Sequence, residues 1–205
     1  MIVELYGLPG TGKSTIARAI ESQGKFKRIK INSKIELLWY NFLFFLKSPF
    51  KFFKLLFYIF RNSNNWQIFY YKLMNLFLHC NAKYQKVLKY QYALIDQGYF
   101  QNIISLFEQQ VDWEIIQKYL ANIVLPDKLF IFQVDDQERQ KRLLNRGHGL
   151  RQFQDEKIKD IWLKAIQANN LVFLENLANT KVQFFIITND KSVEQVLNEI
   201  NFLFH

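Results

Sequence analysis

The chain has 205 residues, half of them hydrophobic, and 27 Lys and Arg against 18 Asp and Glu give it a net charge of +9. Its single cysteine, Cys80, excludes an internal disulfide framework and a cysteine-based zinc cluster, and it suits a reducing cytoplasm, where we expect the protein. No run of 18 apolar residues is present, which excludes a predicted membrane-spanning helix. The length and apolar content predict one domain over residues 1–205.

The first predicted element is a short apolar strand, Ile2–Tyr6, which leads into a glycine-rich loop and then into a helical pattern. The loop fits G-x-x-x-x-G-K-[ST], the phosphate-binding loop (P-loop) of nucleotide enzymes, and strand, loop and helix are the context that this motif requires. The loop comprises Gly7, Leu8, Pro9, Gly10, Thr11, Gly12, Lys13, Ser14 and Thr15, and we predict that all nine bind the nucleotide.

The residue types of this loop match the chemistry of a triphosphate. Its glycines let backbone N–H groups approach phosphate oxygens, and the helix that begins near Lys13 turns its positive end toward the anion. Lys13 is predicted to reach the β- and γ-phosphates, Ser14 to ligate Mg²⁺ and Thr15 to contact the α-phosphate. The motif therefore predicts ATP and Mg²⁺ as cofactors.

Four further strand candidates follow, each succeeded by a helical pattern. They are Arg28–Asn32, Ala93–Asp96, Leu129–Val134 and Val182–Thr188. This alternation predicts an α/β fold, a three-layer P-loop NTPase fold with a five-stranded parallel sheet and a helical insertion. Ligands of such sheets bind beyond the carboxyl ends of the strands, where the P-loop lies.

The helical insertion is predicted at residues 34–92, between the second and third strands. Pro49 is expected to begin one of its helices, and another is expected from about Trp66. The segment from Lys25 to Ile95 contains 13 basic residues and one acid, Glu36, so the basic excess of the chain lies here.

Three interpretations of this basic, aromatic segment stand side by side. In the first, the segment forms a hydrophobic core around an acceptor site, with lysines extending to solvent. In the second, it meets a membrane surface or a lipid-linked substrate, because Phe and Leu faces with Lys suit an anionic interface. In the third, it stacks on single-stranded nucleic acid; this partner is the least favoured because the aromatic residues of the segment are mostly Phe in hydrophobic runs.

Asp96 ends the third strand candidate, in the sequence Ala93-Leu94-Ile95-Asp96-Gln97-Gly98. A carboxylate at that position is expected beside the P-loop, where it serves either as a Mg²⁺ ligand through water or as the base for an acceptor hydroxyl. We therefore predict Asp96 as a catalytic and metal-site residue.

The helix after the fourth strand carries a stripe of arginines. Asp135 and Glu138 resemble a capping box at its start, which gives Asp135 a structural role. Arg142 and Arg146 lie on one face, and guanidinium groups near a triphosphate offset the charge of the transferring γ-phosphoryl. We predict both arginines as catalytic residues, with Lys13.

These motifs together resemble the nucleoside and nucleoside-monophosphate kinase group of P-loop proteins, which includes thymidylate, adenylate and shikimate-type kinases. The resemblance rests on the P-loop, on the strand ending in Asp96, and on Arg142-Leu143-Leu144-Asn145-Arg146. It implies that Arg142 stacks on adenine, that Arg146 touches the phosphates, that residues 147–154 form a closing lid, and that the loop at Asn189 flanks the base. The insertion stands where that group binds its acceptor.

The sequence thus predicts a kinase that transfers the γ-phosphoryl of Mg-ATP to a small-molecule acceptor such as a nucleoside, nucleotide or sugar. The alternatives are a nucleotide-dependent switch and a peripheral membrane ATP-binding protein that acts on a lipid-linked or protein partner. The guanine-reading run N-K-x-D of GTPases does not occur in the chain.

Overall fold

The computed structural model describes residues 1–145 and 156–203, and its centre is a five-stranded, entirely parallel sheet in the order β2-β3-β1-β4-β5. The strands are β1 (Ile2–Tyr6), β2 (Lys27–Arg28), β3 (Ala93–Ile95), β4 (Lys128–Gln133) and β5 (Gln183–Thr188). Helices outside the insertion are α1 (Lys13–Ser22), α6 (Tyr99–Leu106), α7 (Trp113–Leu120), α8 (Asp136–Leu144), α9 (Glu156–Glu175) and α10 (Val193–Phe202). The predicted three-layer α/β architecture is confirmed.

Helices cover both faces of the central strands, and successive side chains of these strands point to opposite sides. In β1, Val3 and Leu5 join the core formed with α1 and α10, whereas Tyr6 joins the core on the side of α6 and α9. In β4 the phenylalanines face the first of these cores, and Leu129 and Ile131 face the second. This two-sided burial explains why the strands are short, nearly continuous apolar runs.

The edge strand β2 is shorter than its predicted range, Arg28–Asn32. Lys27 and Arg28 pair with the three-residue strand β3, and the amide of Ile29 donates to Leu94 at 2.9 Å. After this bond the chain leaves the sheet. Ser33 caps the next helix by accepting a hydrogen bond from the amide of Glu36.

Helices occupy most of the chain between β2 and β3. They are α2 (Lys34–Lys47), α3 (Pro49–Arg61), α4 (Trp66–Lys72) and α5 (His79–Lys86), with a π-helical segment at Leu73–Leu78 between the last two. Pro49 is the first residue of α3, where its missing N–H leaves no helical hydrogen bond unmade. Asn65 caps α4, so the predicted starts of both helices are confirmed.

A buried ion pair attaches this helical segment to the loop that follows α6. Nζ of Lys72, which has no exposed surface, lies 2.5 Å from a carboxylate oxygen of Glu108. The same ammonium donates to the backbone carbonyls of Asn62 and Leu106.

Among the described helices, none is long and apolar enough to cross a membrane.

Candidate active site

The P-loop connects β1, the central strand, to α1. Gly12 precedes α1 with φ of 84°, a left-handed conformation that favours glycine. A Cβ atom at this position would lie 2.2 Å from Nδ2 of Asn189, so space as well as conformation requires glycine. The bend at Gly12 therefore brings the loop against the residue that follows β5.

Lys13 is the first residue of α1, and its side chain folds back over the loop. Its Nζ donates to the carbonyl oxygens of Gly7 at 2.5 Å and Leu8 at 3.0 Å, and to Oγ1 of Thr11 at 3.3 Å. The residue is 8% exposed. The predicted phosphate-binding lysine is thus held within the loop by backbone oxygens.

A cavity of about 350 Å³ opens between the P-loop and the elements that follow β4 and β5. Gly10, Gly12 and Thr15 form its inner wall, and Arg142 and Asn189 contribute to its outer wall. The fold thus brings two residues predicted to contact the nucleotide to the loop that carries the phosphate motif.

Hydrogen bonds fix the outer wall of this cavity. Nδ2 of Asn189 donates to the carbonyl of Thr11 at 2.5 Å, and its backbone amide donates to Gln133 at 2.7 Å. Arg142 donates from Nη2 to the carbonyl of Asn189 at 3.2 Å and from Nε to Glu138 at 2.9 Å. The guanidinium is therefore oriented toward the P-loop by both α8 and the end of β5.

A second cavity, of about 370 Å³, lies between the P-loop and the helical insertion. It shares Gly10 and Gly12 with the first cavity and adds Lys13 and Ser14. Its polar wall on the other side includes Asn75, His79, Lys83, Gln97, Gln101 and Asn102. The P-loop thus separates two compartments, of which the second offers mainly amide donors and acceptors.

The π-helical segment at Leu73–Leu78 forms part of this second wall through Asn75 and Leu76. Such segments are uncommon and frequently occur at functional sites. His79 follows directly, and burial together with the charge of Lys83 lowers its pKa, so its imidazole is neutral near pH 7. The structure places His79 in the wall of this cavity.

Asp96 follows β3 and is paired with two cations. Its Oδ2 accepts from Nε of Arg28 at 3.1 Å, and its Oδ1 accepts from Nζ of Lys83 at 3.4 Å. Burial opposes its ionisation, but the nearby charges of Lys83 and Arg28 outweigh that effect and lower the pKa of Asp96. Its oxygens thus orient Lys83 at the cavity wall, and its roles as base or metal ligand stay predictions.

A buried carboxylate that sequence reasoning missed, Glu4, supports the P-loop from β1. It accepts hydrogen bonds from the hydroxyl of Tyr84 and from the amide of Gln101 at 3.0 Å. The side chain of Gln101 in turn donates to the carbonyl of Gly7 at 3.0 Å and accepts from its amide at 3.2 Å. A Cβ at Gly98 would lie 2.5 Å from the Glu4 carboxylate, which explains the glycine there.

Burial raises the pKa of Glu4 to about 7, although the bonds from Tyr84 and Gln101 favour the ionised form. The apolar pattern of β1 does not predict the hydrogen-bond network of Glu4. The one signal in the sequence is the presence of an acidic residue within a buried strand, which is unusual.

The described residues offer few candidate ligands for Mg²⁺. No group of three carboxylate, histidine or cysteine side chains that could hold a metal lies within residues 1–145 and 156–203. Ser14 lies in the wall of the second cavity beside Lys13. One hydroxyl at this place suits Mg²⁺, which keeps several waters and binds largely through substrate phosphates.

Two predicted features fall on residues 146–155, which lie outside the described ranges. They are Arg146 and the lid at 147–154. Asp135, by contrast, has its expected structural role, since its side chain accepts from the amides of Gln137 and Glu138 at the start of α8. Glu138 does not complete a capping box, because its carboxylate binds Arg142 instead.

The chain was compared with known families, curated proteins and solved structures. No family model matches it. No curated protein matches it either.

Solved structures do match over the full length of the chain. Deoxyadenosine kinase from M. mycoides with bound dATP superimposes with a TM-score of 0.59 at 17% identity, covering 100% of both chains. The same enzyme with the products dCMP and a flexible dCDP gives 0.55 at 17% identity, covering 99% of this chain and 98% of the other. YorR protein from Bacillus subtilis in complex with phosphorylated GDP gives 0.51 at 15% identity, with 100% and 95% covered.

At these identities the likeness shows the fold. The sheet order β2-β3-β1-β4-β5 and the position of the P-loop after the central strand agree with this fold. The chain therefore has the fold of the P-loop nucleoside and nucleoside-monophosphate kinases.

Proposed function

We propose that the protein is an ATP-dependent phosphotransferase that moves the γ-phosphoryl group of Mg-ATP to a small-molecule acceptor. The observation that carries this proposal is the pair of cavities that share Gly10 and Gly12. A phosphoryl transfer needs a donor and an acceptor on either side of one phosphate site, and little covalent chemistry from the protein.

In this proposal the nucleotide occupies the cavity of Arg142 and Asn189, with its phosphates along the P-loop. Backbone amides of the loop and the amino end of α1 bind the phosphate oxygens. Lys13 releases its backbone partners and binds the β- and γ-phosphates. Arg142, which is already oriented by Glu138, offsets charge at the phosphates or contacts the base.

Ser14 would contribute its hydroxyl to Mg²⁺, with phosphate oxygens and water as the remaining ligands, and Asp96 would act on the metal through water. When bound, the metal supplies neutralisation of phosphate charge. Arg28 and Lys83 disfavour the protonated form of Asp96, which a general base must adopt when it accepts a proton. Contact with the metal through water therefore suits Asp96 better than the role of a base.

The acceptor is proposed to lie in the second cavity, against His79, Lys83 and Gln101. Amide side chains there can donate to and accept from hydroxyls and ring nitrogens, as nucleosides and sugars require. Because one of the similar structures is a deoxyadenosine kinase, deoxynucleosides are the first acceptors to test.

The donor half of the proposal is tested by calorimetry with Mg-ATP. We expect Lys13→Ala to weaken ATP binding by at least about tenfold and to abolish turnover, because a charge-assisted contact to phosphate is lost. Lys118→Ala, which changes an exposed lysine of α7, is the matched control. Unchanged affinity and turnover in Lys13→Ala would contradict the proposal.

The acceptor half is tested with labelled ATP and a panel of deoxynucleosides, nucleotides, sugars and lipid-linked sugars. We expect phosphorylation of one class, lost in Lys13→Ala. Tight ATP binding with no labelled product across the panel would count against phosphotransfer and in favour of a nucleotide-dependent switch.

A further inference from the structure

The outer faces of α2 and α3 expose an unusual number of large apolar side chains. Half or more of each such side chain is exposed, including 53% of Trp39, 84% of Phe50 and 58% of Phe57. The full set, here called the outer apolar face, is Ile35, Leu38, Trp39, Phe42, Leu46, Phe50, Phe53, Phe57 and Phe60. Scattered exposed apolar residues are ordinary, but a contiguous group of this size marks an interaction surface.

Helical spacing gathers these residues into stripes. On α3 they fall at positions 50, 53, 57 and 60, and on α2 at 35, 38, 39, 42 and 46, which are the intervals of one helical face. Only Ser48 separates the two helices, and the rings of Phe45 and Phe53 meet across the turn at 5.9 Å. The two stripes therefore adjoin at the turn between the helices.

Packing of the core does not account for this surface, because the same helices bury a different set of side chains. Tyr40 and Phe44 of α2 and Leu55 and Ile59 of α3 are at most 5% exposed and belong to the hydrophobic cores. Of the three interpretations of this segment, core formation thus explains the inner faces and leaves the outer apolar face without a role.

The exposed charged residues of α2 and α3 are all basic. Exposed basic residues of α2 and α3 are Lys34, Lys47, Lys51, Lys54 and Arg61. Glu36 is the single acid in these helices, and its carboxylate lies 2.5 Å from Nζ of Lys86. A second copy of the chain on this face would bring two such basic groups together, whereas an anionic partner would neutralise them.

We propose that the outer apolar face docks on the surface of a bilayer that contains anionic phospholipid. Amphipathic helices with Phe, Leu and Trp on one side and Lys or Arg at its margins lie in the headgroup region, and their binding combines apolar burial with attraction to anionic lipid. The proposed attachment is peripheral, with the helices lying in the headgroup region.

The face lies on the insertion that also forms the second cavity. Helix α2 packs against α5, as the hydrogen bond that Nδ2 of Asn81 donates to Oδ1 of Asn41 shows, and α5 carries His79 and Lys83. Docking would therefore place at the lipid surface the same insertion that carries His79 and Lys83.

The proposal is tested by co-sedimentation of the full chain with vesicles of phosphatidylcholine, with and without phosphatidylserine. We expect binding that requires phosphatidylserine and weakens as salt is raised. Phe50→Ser/Phe57→Ser should bind at least about tenfold more weakly. Phe202→Ser, which changes a phenylalanine of α10 that is 81% exposed, should bind like the unaltered chain.

A charge variant separates the electrostatic part from the apolar part. Lys47→Gln/Lys51→Gln/Lys54→Gln should lose most of the binding to anionic vesicles and most of its salt dependence. Circular dichroism and ATP binding, which the proposed kinase function makes available as an independent readout, check that each variant is folded.

Three results would overturn the proposal. One is the absence of binding to phosphatidylserine vesicles at low salt. Another is equal vesicle binding by Phe50→Ser/Phe57→Ser and the unaltered chain. A third is a dimer in solution that this double variant dissociates while vesicles bind neither form, which would assign the face to a second copy. Loss of kinase activity without loss of vesicle binding would concern the proposed function alone.

Discussion

Glu4 illustrates how a single side chain in this fold couples stability to protons. It has no exposed surface, and burial raises its pKa from 4.5 to about 7. The folded chain therefore holds this proton more tightly than the unfolded chain, so the contribution of Glu4 to stability is greatest below about pH 4.5 and falls as the pH rises to about 7. A shift of this size corresponds to about 3 kcal/mol.

We expect Glu4→Gln to remove this contribution to the pH profile. Gln is neutral at every pH and has a similar shape, so the free energy of unfolding should depend less on pH between about pH 5 and 7, and the variant should be the more stable form near pH 8. Urea unfolding at a series of pH values measures the effect. Glu175→Gln, at an exposed acid at the end of α9, serves as control, and parallel profiles for Glu4→Gln and the unaltered chain would refute the expectation.

At the scale of elements, the helical segment depends on a polar connection as well as on its apolar packing. Lys72, at the end of α4, binds Glu108 and two backbone carbonyls beyond the reach of water. Removing one partner of such a buried pair takes the opposite charge away from the other, which costs about 3–5 kcal/mol.

Lys72→Met should accordingly destabilise the chain by about 3 kcal/mol or more, as measured by urea unfolding. Replacing both partners, as in Lys72→Met/Glu108→Leu, should recover part of this loss because no charge then remains buried. If the single and double variants were equally unstable, the pair itself would not be the source of the effect.

The sequence predicts elements that have local signals, but it does not predict the contacts between distant elements. The P-loop and β1 were predictable because motif, apolar run and helical spacing are contiguous. The partners of Asp96 were not, since Arg28 lies 68 residues away along the chain, and local patterns do not report such pairings. The same holds for His79 and Gln101, which reach the second cavity only after α5 and α6 pack, and for the π-helical segment before α5, which has no sequence signature.

For the whole molecule, the parallel sheet determines where functional groups meet. The P-loop follows β1, Asp96 follows β3, α8 with Arg142 follows β4, and Asn189 follows β5. Because all strands run the same way, residues at opposite ends of the chain converge at one edge. A nucleotide in the first cavity would contact elements from residue 10 to residue 193.

Such a ligand should stabilise the entire fold. At an ATP concentration of about 100 times Kd, the gain is about 2.7 kcal/mol, which for a chain of this size raises Tm by roughly 5–10 °C. Thermal unfolding with and without Mg-ATP measures this shift, and Lys13→Ala should show much less of it. Adenosine without phosphates should produce little stabilisation, and an equal shift with adenosine would argue that the P-loop is not the principal contact.

The hydrogen bonds of Lys13 imply that the proposed binding of a nucleotide would exchange one set of hydrogen-bond partners for another. When its ammonium turns to a polyphosphate, the carbonyl of Gly7 keeps the donor on Gln101, and the carbonyl of Leu8 keeps the amide and hydroxyl of Thr11 at 3.3 and 2.9 Å. Both carbonyl oxygens therefore still accept a hydrogen bond. The Lys13 ammonium could therefore bind the ligand without a change in the backbone conformation of the loop. Recognition would then require a new conformation of one side chain only.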